Sequence, residues 1–189
     1  MQHSDELVSQ QTIKWVKNFI VALNVCPFAK REVERESIRL SIVRSKKTNV
    51  ALEELMAEIA WLDEHPETET SLVVFPTLFS DFENYLDFVA MTEDLMFEQG
   101  CEGVYQVATF HPDYCFDGVE QTDVSNYTNR SPYPMIHLLR EASVEKAIEF
   151  YGDTTSIPDD NIALMEDMGL EKVEAILQSC LKADSSDQT

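Results

Sequence analysis

The sequence predicts a small α/β protein: a three-stranded sheet, parallel or mixed, in βαβαβ order, with an N-terminal helix and C-terminal helices packed around it. Three observations carry this. The apolar pattern alternates between a helical and a strand period along the chain, as it does where strands are joined by helices. A length of 189 residues suffices for one good core, so a single domain over 1–189 is expected, with 1–4 and 183–189 frayed. Ten Phe, six Tyr and two Trp against five Gly and seven Pro exclude collagen-like, low-complexity and disordered classes despite the charge.

Residues 5–24 place Leu7, Ile13, Val16, Phe19, Ile20 and Leu23 at helical spacing beside Trp15, which predicts an amphipathic helix. Pro27 breaks it or opens a new turn, because proline has no amide hydrogen to donate. Ile38, Leu40 and Ile42 alternate with Ser37, Arg39 and Ser41 as a strand with one polar face does. Residues 49–64 are again helical. The unbroken apolar run Leu72 to Phe75, closed by Pro76, reads as a central strand buried on both faces. Asp81 to Gln99 is a helix ended by Gly100, and Val104 to Phe110 is the third strand. Residues 111–130 show neither period, and so long a loop in a compact domain points to function. Ser131 and Pro132 look like a cap and a first-turn proline opening a helix over 132–151, with one or two short helices to Cys180 after it. If the strands are parallel, segments 44–47, 76–80 and 111–115 meet at one edge, where open α/β sheets bind ligands.

The formal charge of −21 opposes sequence-independent binding to nucleic acid or anionic lipid, whose affinity rests on Lys and Arg. No basic stretch precedes an apolar run at the start, and no run approaches a membrane span, so a cytoplasmic protein is expected. Seven of the 14 basic residues lie between Lys30 and Lys47, while 48–129 holds 18 acidic residues and no basic one. Arg44, Lys46, Lys47, Arg130 and Arg140 would make a cationic pocket if loop 111–130 folded over the sheet edge; otherwise the basic run is a solvated face. Four separated cysteines with no C-x-x-C pair indicate neither a disulfide framework nor a zinc knuckle. Glycine-rich nucleotide loops, the G-x-S-x-G elbow and H-E-x-x-H are absent.

The densest polar constellation is His111-Pro112-Asp113-Tyr114-Cys115, followed by Asn126 to Pro134 and then His137 and Arg140. His111 can move a proton near neutral pH and Asp113 can accept one. On a helix over 132–151, His137 would point away from the apolar side. His111, Asp113, Cys115 and His137 are the candidate metal ligands, though H-x-D-x-C is no standard metal spacing. Cys26 before a helix-opening proline, with Lys30 and Arg31 nearby, would be a reactive thiolate; if Pro27 ends a helix instead, the dipole argument reverses.

The blocks Asn24-Val25-Cys26-Pro27-Phe28-Ala29, Phe110-His111-Pro112-Asp113-Tyr114 and Asn126 to Glu141 resemble an uncharacterised bacterial family, domain of unknown function 1415, over about Ile13 to Ile176. The resemblance implies a bacterial protein forming a complete single unit and brings no reaction with it. From the residues themselves, the leading expectation is an enzyme acting on a small anionic metabolite or peptide. His111, Asp113, His137 and Cys26 would be catalytic, and Arg130, Arg140, Asn126 and Asn129 would hold the substrate. The alternative is a non-catalytic ligand-binding or adaptor protein using loop 111–134. A third reading has Asn126, Asn129 and Arg130 satisfying the backbone of a buried loop.

Overall fold

The computed structural model describes residues 4–182; the rest of the termini expected to fray lies outside them. The Ser4 hydroxyl accepts the Leu7 amide and caps α1 (Asp5–Trp15). The helix expected over 5–24 continues as a π-helical stretch, Val16–Val21, and ends near Asn24, whose φ is +55°. Then come α2 (Ala29–Glu34), β1 (Ile38–Ile42), α3 (Thr48–Glu64), β2 (Thr70–Val74), α4 (Phe82–Glu98) and β3 (Tyr105–Phe110). From β1 to β3 the element bounds fall within two residues of expectation.

The helix expected over 132–151 is instead two elements, β4 (Met135–Arg140) and α5 (Glu141–Tyr151). The described residues therefore form a four-stranded sheet in the order β1-β2-β4-β3, not a three-stranded one. Pro132 and Pro134 bias the residues before them toward extended conformations. The apolar run from Met135 then inserts between two strands, where burial overrides the helix preference of Met and Leu. The chain ends in α6 (Ile157–Met168) and α7 (Leu170–Cys180).

β1 pairs parallel with β2, and β4 pairs antiparallel with both β2 and β3, so the sheet is mixed. β1, β2 and β3 consequently run the same way, and their carboxyl ends share one edge. Each face carries its own core. On one, Leu72, Val74 and Met135 pack under Trp15 and Phe19, with Met165, Val173 and Cys180 of the last two helices in the same cluster. On the other, Val73, Phe75, Ile136 and Leu138 pack against Leu55 and Leu62 of α3 and Tyr85 and Phe88 of α4. β2 is buried along its whole length, as its unbroken apolar run requires. No helix among the described residues is long and apolar enough to cross a membrane.

Candidate functional site

The three segments that follow the co-directional strands do meet. The Thr77 hydroxyl donates to the carbonyls of Arg44 and Ser45 at 3.2 and 3.3 Å, tying the first segment to the second. His111 ties the second to the third: its Nε2 lies 2.8 Å from the carbonyl of Phe79.

His111 is 1% exposed, its ring 5.1 Å from that of Phe82 and 5.2 Å from that of Tyr85. Its Nδ1 accepts the Asp113 amide at 2.9 Å, so the proton sits on Nε2 and is donated to Phe79. Burial pushes the pKa below its ordinary value. Both nitrogens are thus engaged within the fold. The Asp113 carboxylate is exposed, and the residue contributes its main chain, the carbonyl accepting from Gln121 at 3.2 Å. The Cys115 thiol donates to the Val119 carbonyl at 3.2 Å.

The remaining loop residues are also turned to the backbone. Asn126, fully buried, accepts the Phe116 amide at 3.0 Å and donates to the Glu120 and Gln121 carbonyls at 2.9 and 3.5 Å. Asn129 donates to the Thr109 carbonyl at 3.1 Å. Arg130 donates to the carbonyls of Tyr114 and Gln121 at 3.2 and 2.7 Å, and its guanidinium carbon lies 4.6 Å from the centroid of the Tyr127 ring. A long loop can be buried only if its amides and carbonyls find partners, and here these side chains supply them.

His137 lies on the opposite face of the sheet from His111. It stands in register with Leu72 and Ala108, on the Trp15 side, whereas the His111 ring packs against α4. The helical placement expected for His137 is replaced by strand alternation with Met135 and Leu139. Its Nε2 lies 2.5 Å from the Thr70 hydroxyl, which itself donates to the Leu138 carbonyl, so the imidazole is the donor of the pair. Desolvation lowers its pKa to about 4. The two histidines are therefore not brought to one shared water or metal. Among the described residues no group of three or more His, Cys, Asp or Glu side chains is arranged to hold a metal ion.

Arg140 leaves the edge altogether, because β4 runs away from it. Its Nη2 meets the carbonyls of Leu62, Thr68 and His65 at 2.5, 3.2 and 3.3 Å, closing the carboxyl end of α3. Nη1 donates to the Tyr105 hydroxyl at 3.0 Å, which donates in turn to Asp63 at 2.7 Å. Burial and the Asp63 carboxylate push the Tyr105 pKa up to about 12. Burial raises the Cys26 pKa, and amides at Phe28 and Ala29 offset this only in part. The helix after it, α2, is six residues long and begins three residues later.

The concavity at this edge is a cleft of about 280 Å³ between the start of α3 and the first half of α4. Phe79 and Phe88, buried and stacked with centroids 4.3 Å apart, are among the residues that line it, with half-buried Leu78 beside them. Asp81, Asn84, Asp87 and Met91, all exposed, line its α4 side.

A family model described as "Protein of unknown function (DUF1415)" matches residues 7–175. The chain belongs to this family. No curated protein and no solved structure matches it.

In this DUF1415 chain the sequence located the ligand-type edge but not the cleft. The missed signal is helical: Asn84, Asp87 and Met91 share one side of α4, off the buried side carrying Tyr85, Phe88, Thr92 and Met96. Met91, the last of the three, is 48% exposed.

Proposed function

We propose that this chain is a non-catalytic ligand-binding protein whose cleft takes a cation on a short aliphatic stem: a free amine or guanidinium, or the Lys or Arg side chain of a peptide. The observation that carries the reading is the juxtaposition in one cleft of two carboxylates, Asp81 and Asp87, with apolar side chains, Leu78, Phe79 and Met91. Carboxylates attract the charge, while the apolar side chains cover the methylenes of its stem. The net charge of −21 raises the local concentration of cations around the whole molecule. Arg130 and Arg140, which an anionic substrate would need, are engaged with carbonyls.

A surface ion pair is worth at most about 1 kcal/mol, and covering a methylene adds about 0.8 kcal/mol. A single small cation should therefore bind weakly, with Kd on the order of 10 mM, and a peptide presenting several should bind more tightly. The test is a titration of the protein with n-butylguanidinium at low ionic strength, followed by the NMR signals of the Met91 methyl and the Asn84 side-chain amide. Saturable shifts at both, weakened several-fold by Asp87→Asn and by added salt, are expected. The α3 amino terminus at Thr48 has no side-chain cap and is preceded by exposed Lys46 and Lys47, which favours an anion at that end of the cleft. Saturable shifts from butyrate but none from n-butylguanidinium would overturn the cationic reading.

A further inference from the structure

Phe79 is one of the residues lining the cleft, and its backbone is unusual: φ is +60°, in the left-handed region that a bulky non-glycine residue rarely occupies. Such a conformation costs on the order of 1–3 kcal/mol and persists only where its surroundings hold it. Two groups hold it here. The ring is clamped on the core side by Phe75, 5.4 Å away and edge-on, and by Phe88. The carbonyl is held by His111 Nε2–H, and the direction of that bond depends on the Asp113 amide, which occupies Nδ1 and keeps the proton on the other nitrogen. Pro112 sits between the two groups that set this tautomer, so the H-P-D motif works as one unit.

We propose that His111 is the positioning residue of the cleft: it latches the Phe79 carbonyl, so that the turn carrying Leu78, Ser80 and Asp81 is set along the cleft wall before any ligand arrives. This rests on the cleft being the binding site. It assigns to the motif a task that neither acid–base chemistry nor loop packing describes, since the group His111 holds lies on another segment, one that lines the cleft. Pre-setting this wall spares the ligand the cost of ordering it, and affinity rises accordingly.

The latch has a signature independent of binding. At positive φ the amide and α protons of one residue lie close together, so Phe79 should show a strong intraresidue amide-to-α cross-peak. The ¹⁵N spectrum should show His111 protonated at Nε2 and bare at Nδ1. His111→Phe keeps a ring between Phe82 and Tyr85 but has no donor; it should lose the strong Phe79 cross-peak and bind n-butylguanidinium at least five-fold more weakly. His111→Gln, which retains an N–H donor, should recover part of both. An unchanged cross-peak, or a lost cross-peak with unchanged affinity, in His111→Phe would overturn the latch while leaving the cleft reading intact. Absence of binding by the wild-type protein would remove the cleft reading, and the Phe79 cross-peak would still decide whether the latch exists. If His111→Phe does not fold, the wild-type tautomer decides: a proton on Nδ1 rules the latch out.

Discussion

Two consecutive segments of this chain, 111–134 and 135–151, invert the usual association of regular structure with tight construction. The first is irregular, its longest regular piece a five-residue 3₁₀ turn at Val124–Thr128, yet Ser125 to Thr128 are all buried. The second is a strand and a helix: β4 is central, with Met135, Ile136 and Leu138 fully buried, yet α5 has no buried residue and ends with Phe150 92% exposed and Tyr151 touching the ring of Phe28. The difference lies in what each backbone has beside it. Main-chain groups of the loop are bonded to side chains chosen for reach and donor count, Asn126, Asn129 and Arg130. Those of α5 are bonded to one another and lie against few neighbours. Local stability follows buried contacts and satisfied polar groups, not the regularity of φ and ψ.

The sharpest way to break this contrast is Asn126→Ala. It removes an acceptor and two donor contacts from a fully buried position, leaving the Phe116 amide and the Glu120 carbonyl short of partners. At about 1–3 kcal/mol for a buried unsatisfied group, a loss near 3 kcal/mol is expected, read as a lower urea midpoint at unchanged m-value. A loss below about 0.5 kcal/mol, the level of ordinary surface substitutions, would mean the loop is held by something else.

In the second segment the sensitive point is His137. Folded, it titrates at about 4; unfolded, near 6.5. Between those values the unfolded chain binds the extra proton. Its contribution is therefore complete above about pH 6.5 and is lost as pH falls toward 4. For this one group the loss from pH 7 to pH 5 is about 2 kcal/mol. His137→Gln should flatten the pH dependence of stability by that amount relative to wild type, since the carboxylates are common to both chains. Parallel curves for the two proteins would remove His137 from the acid response.

The smallest effect is expected at the end of the second segment. Phe150→Ser should change stability by less than about 0.5 kcal/mol. Hydrogen exchange should protect the amides of Asn129, Arg130 and Ser131, which bond to the carbonyls of Asn126, Tyr127 and His111, better than those of α5. The reverse order would show that α5 is held more firmly than its burial implies.

Much of this architecture could be read from the residues. The apolar run Leu72 to Phe75, stopped by Pro76, suited a strand covered on both sides, and the Asp81 to Gly100 signals bounded α4 closely. The convergence of segments 44–47, 76–80 and 111–115 followed from strand direction and survived the insertion of β4, because β1, β2 and β3 remain co-directional. β4 itself was obscured by its surroundings. Ser131 and Pro132 imitate a helix start, Glu141 to Tyr151 is helical, and a short apolar run such as Met135 to Leu139 fits either period. At the site, the constellation was visible but its recipients were not. Composition shows that Asn126, Asn129 and Arg130 carry donors; only the folded path of the loop shows that the acceptors are its own carbonyls.

One consequence belongs to the life history of the chain. β3 joins the sheet solely through β4, which is synthesised after it, and β2 and β3 are never neighbours. During translation β3 must wait without a hydrogen-bonding partner until residues 135–140 have left the ribosome. A product truncated before Met135 would carry open edges on both β2 and β3, the kind of surface on which chains pair with one another. Quality control of this protein therefore hinges on a six-residue strand, and a premature stop upstream of it should yield aggregated rather than partly active material.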